Sequence, residues 1–267
     1  MTRVAVAGYG AIGRELVRRL ADGVPGITLA AVGARNREAV GADLRTFGVD
    51  AAVESIDALE QHADLVVECA PAALLPEIAT PFLARGKEVV VLSAGALLDH
   101  PHLLELAKEH GGTITVPSGA LLGLDAVGAC AEGEISSVRM TTRKPVAGLV
   151  GAPGLDESGV HVDPDLVEPV RVFSGTAREA ARGFPANLNV AAALALAGVG
   201  PDRTEVEIWV DPTVTRNTHT IVVESDVADL TMTIENVPSE NPRTGRITAL
   251  SVVSLLRKRG AALRVGS

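Results

Sequence analysis

Aromatic side chains are almost missing from this 267-residue chain, which has one Trp, one Tyr and four Phe, 2% in all. Its core must be built from Ala, Val, Leu and Ile, which the 47% hydrophobic content supplies. Cysteine is as scarce. Cys69 and Cys130 make no disulfide framework and no metal-ligand spacing, so they read as small buried thiols and no metal is expected. Positive charge is also short: 24 Lys plus Arg stand against 33 Asp plus Glu, a formal net charge of -9. Binding a phosphate backbone needs a basic face, so no nucleic-acid partner is expected. No run of roughly 18 apolar residues escapes a charge or a breaker, and no membrane span is expected. The opening MTRVAVAGYG lacks the apolar region and cleavage site of a signal peptide, so the expected location is the cytoplasm.

What remains is long enough for two modest domains. The first half alternates short β-branched runs with helical patterns. Strands are expected at Arg3–Ala7, Thr28–Val32, Leu65–Cys69, Glu88–Leu92 and Thr113–Val116, with helices at Ala11–Leu20, Leu74–Arg85 and Pro101–Glu109. Strands this apolar, separated by helices, imply a parallel sheet covered on both faces. After residue 124 the pattern changes. Val138–Lys144, Val170–Phe173, Glu205–Val210, Thr218–Glu224 and Asp229–Glu235 alternate polar with apolar, around an Ala-rich helix at Asn187–Ala197. Gly148–Pro169 reads as a surface excursion. The expected fold is α/β: a Rossmann-type doubly wound parallel sheet over residues 1–124, completed by a C-terminal helix within 241–267. A second α+β domain over 125–240 holds a mostly antiparallel sheet.

In VAVAGYGAIGREL, Gly8, Gly10 and Gly13 form G-x-G-x-x-G between the first strand and the first helix. Gly8 permits the sharp turn, Gly10 leaves room for a pyrophosphate, and Gly13 lets the helix lie close to the strand. The helix start, with Ala11 and Ile12, offers free N–H groups to phosphate. NAD or NADP is therefore the expected cofactor. An acid that would bond the adenosine ribose is absent from the tip of the second strand, where Arg35 and Arg37 suit a 2′-phosphate instead. Cys69 and Ala70, and Ala94 after the next strand, lie at strand ends where open α/β sheets bind ligands. A purely structural turn is the alternative.

Later stretches are more specific: VPSGALLGLDAV (116–127), TTRKP (141–145), GFPANLNVAAALALAG (183–198), DPTVTRNTHTI (211–221) and NPRTG (241–245). With the glycine turn they resemble the L-aspartate dehydrogenase family over nearly the whole chain. The resemblance implies hydride transfer between C2 of L-aspartate and a nicotinamide, giving iminoaspartate. Water then releases oxaloacetate and ammonia, or the imine passes toward NAD biosynthesis. It also implies a catalytic role for His219 and cofactor contacts at Ala120 and Asn189. Imidazole suits proton transfer near neutral pH, whereas the other five histidines fall in surface or loop segments. Lys144 is a rival base. Charge matching to a dicarboxylate suggests Arg143 and Lys144 as its anchors, with hydroxyl donors from Ser118 and Thr220. The chain departs from the family at Ser225-Asp226-Val227-Ala228, where a glycine-rich turn with an aromatic is usual. A small-molecule substrate and a homodimer are the expected partners. Alternative readings are a reductase of the dihydrodipicolinate or homoserine dehydrogenase kind, or a non-catalytic dinucleotide sensor.

Overall fold

The computed structural model describes residues 1–146, 163, 166–184, 188–238 and 245–266. It divides into two compact units, Met1–Gly119 with Thr248–Ser267, and Ala120–Ile247. The excursion after residue 146, the Pro185–Asn187 start of the Ala-rich segment, and residues 241–244 of NPRTG fall largely outside the described residues.

The first unit is a six-stranded parallel sheet. Its strands are β1 (Thr2–Ala7), β2 (Ile27–Gly33), β3 (Ala52–Glu54), β4 (Leu65–Glu68), β5 (Glu88–Val91) and β6 (Thr113–Thr115), in the order β3-β2-β1-β4-β5-β6. The apolar runs explain the layering. In β1, Val4 and Val6 join one core cluster with Leu16, Val17 and Leu20 of α1 (Ala11–Ala21), while Ala5 and Ala7 join another with Ile78 and Phe82 of α3 (Leu75–Leu83). Both faces are thus buried, as parallel sheets require. Between α1 and α3 in sequence, α2 (Arg37–Thr46) is capped by Asn36. Past β5 come a one-turn α4 (Ala94–Leu97) and α5 (His102–His110). The strand order turns back between β1 and β4, the switch point where such sheets bind ligands.

The second unit is a five-stranded sheet with helices on one face. After α6 (Leu124–Ala131) come β7 (Ile135–Lys144), β8 (Val170–Thr176), α7 (Ala177–Gly183), α8 (Asn189–Ala197), β9 (Thr204–Val210), β10 (Asn217–Ser225) and β11 (Leu230–Asn236). The strand order is β11-β10-β7-β9-β8. Three ladders are antiparallel and one, between β7 and β9, is parallel. Helices α6 and α7 escape a periodicity reading because they are short and rich in Ala and Gly. The start of α7 is nevertheless written locally: Thr176 and Glu179 form a reciprocal capping box. Val190–Ala195 of α8 are buried on nearly every side, and their small side chains let the helix lie close to the sheet. The chain closes with α9 (Ile247–Gly260), whose Val252, Val253 and Leu256 enter the first unit's core.

Candidate active site

In the first unit the glycine turn is built as its chemistry demands. Gly8 has φ +106°, and a Cβ there would come within 2.6 Å of the Cys69 carbonyl oxygen. A Cβ on Gly13 would sit 2.1 Å from the Gly8 carbonyl oxygen, so only glycine lets α1 approach the turn. A Cβ on Gly10, by contrast, would meet nothing within 4 Å. Gly10 is also the N-cap of α1, and no side chain caps that helix. Room beside Gly10 and uncapped N–H groups from Ala11 onward fit a dinucleotide pyrophosphate.

Arg35 is exposed, just before the Asn36 cap of α2, and no carboxylate among the described residues pairs with it. Arg37 lies 3.8 Å from Glu54. Cys69 and Ala70 follow β4, and burial together with the nearby Glu68 charge pushes the Cys69 thiol up. Ala94 is buried at the start of α4. Glu68, not anticipated as a functional group, ends β4 with no exposure at all. Its carboxylate accepts from Leu92 N (3.1 Å), Ser93 N (2.8 Å) and Ser93 Oγ (3.1 Å). It thereby ties the ends of β4 and β5 together. Burial outweighs these bonds and holds the carboxyl above its usual range.

In the second unit, alternation along paired strands sorts the candidates by face. Toward the helices, β7 presents Val138, Met140, Thr142 and Lys144, and β10 presents Val223, Ile221, His219 and Asn217. That face is apolar along most of its length and polar at one end. One row across the sheet there is Ile208, Thr142, His219 and Ile234; the last row contains the pairs Val210–Lys144 and Asn217–Asn236. Thr142, Lys144, His219 and Asn236 are 0%, 2%, 3% and 4% exposed. Thr142 Oγ1 lies 3.1 Å from His219 Nδ1. Burial, reinforced by the Lys144 charge, drops the His219 pKa to about 3, so the ring is neutral at physiological pH. Burial lowers Lys144 to about 8.

The same alternation separates Arg143 and Thr220 from His219. Both sit on the opposite face, where Arg143 donates to Asp211 Oδ2 (2.8 Å) and lies 5.0 Å from the Trp209 ring. Burial works against the Asp211 charge, but bonds from Thr213 and Arg143 hold its carboxyl below the usual range. Thr220 Oγ1 is 3.3 Å from Thr233 Oγ1. Ser118 is exposed beyond β6 in the first unit. Asn189 is the first residue of α8, whose far end at Gly198 backs onto Val127 of α6 and onto Val138, toward the apolar end of β7. The helix start therefore points away from that end. Ala120 accepts a 2.9 Å hydrogen bond at its carbonyl from Asn236 Nδ2. Thr142, Asn217 and Asn236 join the polar end although sequence reasoning gave them no role. Their signal was the period of two: TTRKP sets Thr142 with Lys144, and N-x-H sets Asn217 with His219.

Residues 125–259 match the family described as aspartate dehydrogenase, C-terminal, and residues 8–117 match the homoserine dehydrogenase NAD binding domain. The chain is 56% identical to L-aspartate dehydrogenase 3 of Bordetella bronchiseptica, covering 99% of this chain and 97% of that one. It is 40% identical to the L-aspartate dehydrogenase of Methanocella arvoryzae over the full length of both. The crystal structure of an aspartate dehydrogenase from Thermotoga maritima superposes with a TM-score of 0.76 over the whole of both chains at 24% identity, a likeness of fold.

Proposed function

The chain belongs to the L-aspartate dehydrogenase family, and from that membership we propose how its residues divide the work of an NAD(P)-dependent oxidation of L-aspartate. The bound nicotinamide supplies the hydride acceptor, or the donor in the reverse direction. Gly8, Gly10 and Gly13, with the N–H groups of Ala11 and Ile12, hold its pyrophosphate. Cys69, Ala70, Ala94, Ala120 and Asn189 are further cofactor contacts. Arg35, exposed and with no carboxylate partner among the described residues, admits a 2′-phosphate, so both NAD and NADP are accepted.

His219 is the acid/base. When Nδ1–H donates to Thr142 Oγ1, the Nε2 lone pair is left to take a proton. It accepts one from the substrate amine as the imine forms and releases it to solvent, then accepts one from the water that attacks C2 and returns it to the nitrogen that leaves as ammonia. Lys144 binds a substrate carboxylate. A cation buried beside a neutral base suits a dianion, and the pairing has a second effect. The Lys144 charge is one cause of the low His219 pKa, so a carboxylate on Lys144 cancels it. The base thus gains proton affinity as substrate arrives. Ser118 remains a candidate donor to substrate; Arg143 and Thr220, on the far face of the sheet, have other partners.

The observation that carries this reading is the burial of a neutral histidine, a lysine and a threonine together at one end of an otherwise apolar face. The test is spectrophotometric. NAD(P)H should appear with L-aspartate and disappear with oxaloacetate plus ammonia; absence of turnover with either cofactor overturns the reading. A homodimer in the cytoplasm is the proposed working form, a second copy covering the sheet face that the unit's own helices leave bare.

A further inference from the structure

Asn236 closes the last row of the polar end, directly opposite Asn217 and one diagonal step from His219. Its side chain leaves the sheet on the same face, and the residue is 4% exposed. The orientation of its amide is fixed: Nδ2 donates to the Ala120 carbonyl at 2.9 Å, which only the nitrogen can do. Oδ1 must then face away from Ala120. That oxygen is buried, and no donor among the described residues reaches it. Such an orphan is costly and rare in a folded protein, so each one asks for a partner. Gly245 packs against this amide, and a Cβ there would stand 3.2 Å from the oxygen.

We propose that Asn236 Oδ1 receives an N–H from the substrate nitrogen and so selects amino over non-amino dicarboxylates. The proposal rests on the aspartate dehydrogenase reading. A carbonyl oxygen can only accept, whereas the carboxylates of aspartate cannot donate; its ammonium, amine or imine nitrogen can. Diagonal neighbours on paired strands stand about 7–8 Å apart at Cβ, close enough for Asn236 and His219 to meet one nitrogen from two sides. Lys144, in the same end row, takes a carboxylate. The substrate is thereby held by its charge and its amine separately.

The test compares L-aspartate with succinate, the same dicarboxylate without nitrogen. In wild type, succinate should inhibit competitively, with a Ki at least tenfold above the KM of L-aspartate. Asn236→Leu keeps the size and removes the amide. It should raise the KM of L-aspartate about tenfold while the succinate Ki and the NADH dissociation constant stay within twofold. If the leucine variant fails to fold, Asn236→Ser, too short to reach, should give the same split. An unchanged L-aspartate KM in a folded variant overturns the proposal, as does an equal loss for succinate. A matching loss in NADH affinity also overturns it, since the oxygen would then serve the cofactor. Wild-type protein that turns over no L-aspartate sinks the underlying reading instead, and that is seen before any variant is made.

Discussion

Thr142 Oγ1 lies 3.1 Å from His219 Nδ1, on residues that the register of β7 and β10 sets directly opposite each other. The hydroxyl holds the ring's rotation, and it serves either tautomer, as acceptor from Nδ1–H or as donor to a bare Nδ1. Thr142→Val keeps the shape and removes that bond. The expected result is about a 10- to 100-fold fall in kcat, the range known for partners that orient metal-bound imidazoles, with the cofactor dissociation constant unchanged. A variant with wild-type kcat separates Thr142 from the reaction.

His219→Ala should cost about two to four orders of magnitude in kcat, the range for a lost acid/base group. NADH binding, read by fluorescence titration, should stay close to wild type. Retention of most of the kcat would remove the histidine from the mechanism.

Lys144→Met should raise the KM for L-aspartate tenfold or more and move the acid limb of the kcat/KM profile upward, because His219 loses the charge that depresses it. Stability should move the other way. The folded pKa of about 8 lies below the ordinary 10.5 of lysine. The unfolded chain therefore binds more protons between those values, and below pH 8 the fold carries the whole cost of a buried ammonium. The methionine variant should melt higher than wild type at pH 7, and the gain should vanish as pH rises past 10.5. Thermal scans at pH 7 and pH 11 measure both.

Arg143→Ala removes a bond to the buried Asp211 carboxylate and a contact with Trp209. Because Asp211 would be left buried and unpaired by a cation, the midpoint should drop by several degrees, from a loss of about 1–3 kcal/mol. The KM for L-aspartate should stay within twofold; a tenfold rise would show that this arginine reaches substrate.

Arg35→Asp should weaken NADP at least tenfold and leave NAD nearly unaffected, since only the former carries a 2′-phosphate. Equal effects on both, measured as KM ratios, would show that Arg35 does not read the 2′-phosphate.

The first sheet was legible because burial on both faces writes continuous apolar runs, and because Gly8 and Gly13 are demanded by backbone contacts that tolerate no Cβ. The helices α6 and α7 were not, since Ala- and Gly-rich turns carry no periodic stripe. The parallel pairing of β7 with β9 was also hidden: strand pattern shows which residues share a face but not which strand lies alongside. Arg143 and Lys144, adjacent in sequence and alike in charge, were matched to the substrate by charge alone, without regard to the alternation along β7. A one-residue step sends them to opposite sides of the sheet. Glu68 was overlooked for a different reason: a carboxylate at a strand end reads as solvated until three donors from the turn after β5 are seen to bond it.

Helix α9 contributes Val252, Val253 and Leu256 to a core whose other members all come from the first 90 residues. The first unit therefore cannot close this apolar seam until residue 256 has been made, whereas the strands of the sheet bearing His219 are all present once residue 236 has emerged. The strands made first thus complete their core only with the helix made last.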